Sequence, residues 1–125
     1  MKNNLKKIII GLIFIQTITV SNSYAKTIQN PEQLRQDDSS IVMVDADWCS
    51  TCKAQRKIIS SLLAQSKYKN IVLYKINFDK QKQVLKNFNV SMQSTIIAYK
   101  KGRETDRITG ETRQDALEKI LDKAL

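Results

Sequence analysis

The sequence predicts an α/β fold, a four-stranded mixed sheet flanked by helices on both faces. Three observations carry this. Strand-length apolar runs at 41–46, 71–78 and 94–99 alternate with helical spacing at 52–66 and 80–88, the pattern of parallel strands joined by crossover helices. The tight turn Lys100-Lys101-Gly102 joins the third strand to a fourth at 103–108, which makes an antiparallel hairpin. A last apolar stripe, Ala116, Leu117, Ile120 and Leu121, marks a closing helix over 112–124.

The chain has 125 residues, enough for one domain. Its start has a separate character. Lys2, Lys6 and Lys7 precede a mostly apolar stretch, 8–20, and Ser23-Tyr24-Ala25 places small residues before a cleavage point. Basic, apolar, small is the layout of a secretory signal peptide. An uncleaved anchor needs about 20 consecutive apolar residues, and this run is broken by Gly11, Gln16, Thr17 and Thr19. Residues 1–25 are therefore expected to be a leader cut after Ala25, and 26–125 an exported, periplasmic domain. Cleavage leaves 18 basic against 12 acidic residues, a formal +6. Those charges are dispersed, and no nucleic-acid-reading motif accompanies them, so no nucleic-acid partner is expected.

In the expected mature chain, Asn30-Pro31-Glu32 reads as a helix start, with Asn as cap, Pro at the first helical position and an acid in the first turn. Asp37 to Ser40 forms a polar turn. Ile41 to Val44 is apolar without alternation, as in a strand covered on both faces. Asp45 follows where a carboxylate is costly unless paired or protonated. In the next helix Ala54, Ile58, Ile59, Leu62 and Leu63 give the apolar spacing, and Ser50 or Thr51 can cap the first turn. Asp79 can cap the short helix that carries Val84, Leu85 and Phe88, and Asn89 is placed to end it.

The chemistry is concentrated at the junction of the first strand and its helix. Cys49 and Cys52 are the only cysteines, three apart, and the first sits where a helix N-terminus favours negative charge. A disulfide closing so small a loop removes little unfolded-state entropy, so the pair makes poor sense as a staple and good sense as a redox switch. The chain has no His and three Gly. A Ser-His-Asp set and a phosphate-cradling glycine loop are thereby improbable.

Ala46-Asp47-Trp48-Cys49-Ser50-Thr51-Cys52-Lys53 matches the Trp-Cys-x-x-Cys-Lys segment of the thioredoxin family. Lys75 to Asp79 matches the strand that ends beneath it, and Lys100-Lys101-Gly102 with Gly110 fits the closing hairpin. Over residues 41–125 the chain thus resembles that family, which implies a thioredoxin-like fold. Three departures stand out. Ser94 occupies the place of a cis-proline, so the bond before it is expected to be trans, or a strained cis bond at a cost of about 2.5–4 kcal/mol. Met43 stands where a buried acid is usual, and Asp45, two residues on and on the same side of the strand, is the candidate replacement. Lys57 falls where many relatives kink the helix with proline.

The resemblance implies a thiol-disulfide oxidoreductase. Cys49 is the expected nucleophile, its thiol brought below about 8.5 by the helix terminus and Lys53, with Asp47 opposing. Cys52 is the expected resolving thiol. Without His, Asp45 is the candidate base for Cys52, with Lys75 as its electrostatic partner. Trp48 is expected to shelter the dithiol and face substrate, and Ser94 and Thr95 to lie against it and offer backbone groups to an extended substrate. The substrates expected are protein thiols and disulfides, the electron donor a membrane-bound partner, and the protein a monomer without cofactor or resident metal. A periplasmic reductase is the leading reading. A disulfide oxidase or isomerase of the same fold, and a soft-metal module binding Cu(I) through its two thiolates, are the alternatives.

Overall fold

The computed structural model describes residues 24–125. The predicted leader lies outside them except for Tyr24 and Ala25. The sheet has five strands, β1 (Lys26–Thr27), β2 (Ser39–Asp45), β3 (Val72–Asn77), β4 (Thr95–Lys100) and β5 (Arg103–Thr109), in the order β1-β3-β2-β4-β5. Strands β1, β3 and β2 run parallel, whereas β4 is antiparallel to β2 and β5 to β4. The helices are α1 (Ser50–Leu63), α2 (Lys82–Asn87) and α3 (Gln114–Asp122).

The fifth strand corrects the four expected. β1 is two exposed residues, paired with Tyr74 and Lys75 at the edge of β3. It has neither the length nor the apolar alternation that betrays a strand in sequence. The mixed sheet with helices on both faces is otherwise as read. The N-terminal helical signal is a 3-10 turn, Pro31–Gln36. The Gln33 side chain accepts from the backbone N–H groups of Gln29 (2.7 Å) and Asn30 (3.1 Å) and fixes its start.

The unbroken apolar run of β2 is explained by two cores. Val42 and Val44 face Leu34, Ile76, Val84, Leu85 and Phe88 on one side of the sheet. Ile41 and Met43 face Ile59, Leu62, Leu117, Ile120 and Leu121 on the other. Successive side chains of a strand point to opposite faces, so a strand sandwiched between helical layers has no polar positions to show. Burying one such aliphatic side chain is worth ~1.5–3 kcal/mol, and β2 contributes four.

The β4–β5 turn is made by Lys101 (φ 51°) and Gly102 (φ 75°). Two successive positive φ values match the right-handed strand twist. Glycine is required at the second on a separate count: a Cβ there would lie 2.8 Å from Arg35 Cα. In β5, Ala98 pairs with Asp106 and Tyr99 with Glu104, so Thr105 is bulged out. Its Oγ1 donates to Lys123 O (2.6 Å), which pins the end of α3 to the edge strand. No described helix is long and apolar enough to cross a membrane.

Candidate active site

β2 ends at Asp45, and the chain turns through Ala46, Asp47 and Trp48 into α1. That turn is closed by Cys49 N–H on Ala46 O (3.2 Å). Cys49 is the N-cap of α1, so the helix begins two residues earlier than its apolar pattern suggests, and the cap is a sulfur rather than a Ser or Thr hydroxyl. Cys52 N–H, unpartnered within the helix at its first turn, donates to Cys49 Sγ (3.1 Å). The two cysteines form a disulfide, with Cα atoms 5.2 Å apart. Cys49 retains 5% of its surface and Cys52 1%, packed with Ala46 and Phe78. The first sulfur belongs to the more accessible residue of the two.

Trp48 is 62% exposed, and its Nε1–H donates to Asp79 Oδ2 (2.9 Å) at the end of the neighbouring strand. Asp79 was expected as a helix cap; it holds the indole instead. Exposed Met92 lies in the loop that leads to Ser94.

Asp45 lies on the α1–α3 side of the sheet, buried as expected. Lys75 Nζ reaches its Oδ2 at 3.2 Å. Arg56, on α1, pairs with Oδ1. Both carboxylate oxygens are therefore occupied by cations, and among the described residues neither bonds to a sulfur. Arg56 escaped the sequence reading because a cation in an exposed-looking helix turn reads as solvated. The buried acid at the end of the preceding strand, eleven residues earlier, was the available signal.

Ser94 packs directly on the dithiol. Its peptide is trans, and its φ is +62°. Its Oγ lies 3.1 Å from Cys49 Sγ and 3.1 Å from Cys52 Sγ. Its backbone groups are used inside the fold: N–H donates to Val44 O (2.9 Å), and the carbonyl accepts from Gly110 N–H and Gln55 Nε2, each at 3.0 Å. What Ser94 offers the sulfurs is its hydroxyl. Thr95 begins β4, buried, with Oγ1 donating to Met92 O (2.8 Å) and lying 2.9 Å from Thr109 Oγ1.

Gln55 is the site residue that sequence reasoning missed. It is fully buried, and its Nε2 also donates to Glu111 O (2.9 Å), tying α1 to the loop before α3. Its Oε1 has no protein partner. The buried face of α1 is Cys52, Gln55, Ile59 and Leu62. A lone amide in that helical series, one turn after Cys52, was the sign. The donors a soft metal ion would find here are the two sulfurs, once reduced, and the Ser94 hydroxyl. Among the described residues no group of three or more His, Cys, Asp or Glu comes together.

Comparison with known proteins agrees with this geometry. The family model described as Thioredoxin matches residues 16–123. A thioredoxin of Chlamydia muridarum is 32% identical over 87 residues, 68% of this chain and 83% of that one. Among solved structures, the protein called Trxlp of Edwardsiella tarda EIB202 is similar at 41% identity and TM-score 0.69, over 72% of this chain and 88% of that one. Oxidised mitochondrial thioredoxin 3 of Saccharomyces cerevisiae shares the fold at 22% identity and TM-score 0.68, over 78% and 93%.

Proposed function

The chain belongs to the thioredoxin family, and we propose that it is a periplasmic reductase of protein disulfides, re-reduced by a membrane-bound donor. Thiol-disulfide oxidoreductase activity on protein thiols and disulfides follows from the family and from the Cys49–Cys52 pair. Reduction, export and the donor are the further steps. The leader pattern of residues 1–25 supports export. The connection between β3 and β4 supports reduction: it holds only α2 and its turns, with no inserted helical domain of the kind a larger oxidase carries.

The observation that carries the oxidoreductase chemistry, in either direction, is the placement of Cys49 Sγ, at the N-terminus of α1 with Cys52 N–H aimed at it. In the reduced protein that donor and the helix dipole favour a thiolate. The thiolate attacks a substrate disulfide, a Cys49–substrate disulfide forms, and the other substrate sulfur leaves. Cys52, deprotonated, then attacks Cys49 Sγ and the substrate's second sulfur leaves as thiolate. Two electrons have passed to the substrate, and the Cys49–Cys52 disulfide remains. Asp45, with Arg56 and Lys75 on its two oxygens, is the proposed acceptor of the Cys52 proton through water. Trp48, beside Cys49 in the chain, and Met92, in the loop that leads to Ser94, are the exposed apolar side chains offered to an unfolded substrate segment.

The test is the reduction potential of the pair together with insulin reduction. A potential near that of thioredoxin, about −270 mV, with rapid insulin reduction that Cys49→Ser abolishes, establishes the reductase. A potential near −120 mV would assign disulfide donation instead. A second reading, the oxidase, draws on one specific observation: two donors, Cys52 N–H and Ser94 Oγ, converge on Cys49 Sγ, and stabilising the thiolate makes a disulfide more oxidising. Export is checked separately, by N-terminal sequencing of the periplasmic form, which should begin at Lys26.

A further inference from the structure

We propose that the Ser94 hydroxyl is a third catalytic group of this dithiol, a hydrogen-bond donor that localises the negative charge of the reduced pair on Cys49. The inference rests on the oxidoreductase reading and assigns a role that the family pattern, with proline at this place, has no hydroxyl to fill.

Three facts carry it. The Oγ atom is equidistant from the two sulfurs, 3.1 Å from each, in a pocket where Ser94 itself is 3% exposed. A hydroxyl has one proton to give and lone pairs to receive. In the reduced protein it therefore donates to the Cys49 thiolate and accepts from the Cys52 S–H. Second, no charged side chain competes. Asp47 and Lys53 are exposed, Asp45 is held by Arg56 and Lys75, and among the described residues no charged group bonds to either sulfur. Third, the serine is held where it stands at a conformational cost. A non-glycine residue at φ +62° is disfavoured. Such a residue persists only where its surroundings over-determine it. Here Val44 O, Gly110 N–H and Gln55 Nε2 fix its backbone on three sides.

The balance is simple. Two electrons and one proton convert the Cys49–Cys52 disulfide into a thiolate on Cys49 and a thiol on Cys52. A partner protein dithiol supplies the electrons in one direction, and a substrate disulfide takes them in the other. Hydrogen bonds to an ionised acceptor are about twice as strong as neutral ones. The hydroxyl thus stabilises the reduced pair more than the disulfide, and it makes the pair more oxidising than the same site without it.

The experiment compares wild type with Ser94→Ala, Ser94→Gly and Ser94→Thr. Thiolate formation in the reduced protein is followed by its ultraviolet absorbance and by the pH dependence of Cys49 alkylation. The disulfide is equilibrated against glutathione. Ser94→Ala and Ser94→Gly are expected to raise the Cys49 pKa by about one unit, a tenfold change. They should shift the disulfide equilibrium toward the reducing side by up to tenfold, or ~30 mV. Ser94→Thr, which restores the hydroxyl, is expected to titrate with wild type. Glycine relieves the positive φ and alanine does not, so equal shifts in the two assign the effect to the hydroxyl. No shift in either variant, or shifts of opposite sign, overturns the proposal. The wild-type rate of exchange with a model disulfide separately tests the oxidoreductase reading. A chain that fails to exchange while its Ser94 variants still shift the titration sinks that reading and leaves the hydrogen bond standing.

Discussion

At the scale of single residues, the pair of cysteines was fully legible and their neighbours were not. Spacing and the flanking Trp48 and Lys53 pointed to Cys49 and Cys52, because a redox dithiol needs both sulfurs on one helical turn. The Asp45–Lys75 partnership could also be anticipated, since a buried carboxylate demands a cation. The Ser94 hydroxyl could not. Sequence showed only that a proline was missing, and whether the hydroxyl or the backbone faced the sulfurs depended on a φ that no propensity suggests. Gln55 hid among exposed-looking polar residues of α1. Its role leads to a prediction. Gln55→Met keeps the volume and removes the orphaned Oε1, but it leaves Glu111 O without its donor and Ser94 O with Gly110 N–H alone. A lost hydrogen bond costs ~0.5–1.5 kcal/mol net, and removal of a buried unsatisfied atom returns ~1–3 kcal/mol. Two such bonds are lost, so the opposing terms should cancel to within about 2 kcal/mol in stability measured by denaturant. Thiol exchange should slow several-fold as Ser94 loosens. Trp48→Ala is the complementary case. It should lower kcat/KM for a protein disulfide with little effect on the reduction potential, because the indole bonds to Asp79 and to neither sulfur.

At the scale of elements, β2, β3, β4 and α1 were predicted within a few residues because each carries enough buried apolar length to outvote local ambiguity. The exception was the start of α1, where a cysteine side chain caps the helix and the apolar stripe begins a turn later. β1 was unreadable for the opposite reason: it is a strand only because β3 presents a free edge. Two elements make falsifiable claims. At the hairpin, Gly102→Ala has to adopt φ 75° with its Cβ against the Arg35 backbone. The conformational penalty alone is ~1–2 kcal/mol. Equilibrium unfolding should show at least that loss, with more for Gly102→Val. At the α1–β2 junction, Arg56→Met removes a cation from a carboxylate that is 8% exposed. Lys75, itself 42% exposed, remains on the other oxygen. Leaving a buried carboxylate half-paired should cost ~1–3 kcal/mol. Asp45→Asn, which leaves only solvent-reachable cations behind, should cost less. The ordering of those two variants in a denaturation series is the check.

At the scale of the whole molecule, two cores share one sheet, and the α1–α3 layer is shut at its end by a polar clasp. Asp122, at the end of α3, accepts from Tyr68 Oη (2.8 Å) and pairs with Lys67 Nζ (2.6 Å). An acid at a helix C-terminus opposes the macrodipole, and these two partners offset that. Lys67 first, and then Tyr68, hold the Asp122 carboxyl below its ordinary value. The sign follows. A carboxyl whose folded pKa lies below its unfolded one contributes stability above the unfolded value, and that contribution fades as pH falls through the folded one. The clasp should therefore operate fully at neutral pH and weaken progressively in acid below about pH 4. Glu111, pushed down to about 2 chiefly by its bond to Arg113, is common to wild type and the Asp122 variant and cancels when the two are compared. Asp122→Asn should lower the melting temperature at pH 7, and its curve should converge with wild type as the pH approaches 2. The pair is exposed, so salt should shrink the neutral-pH difference. A gap that persists unchanged into acid would place the stabilisation in packing rather than in the charge.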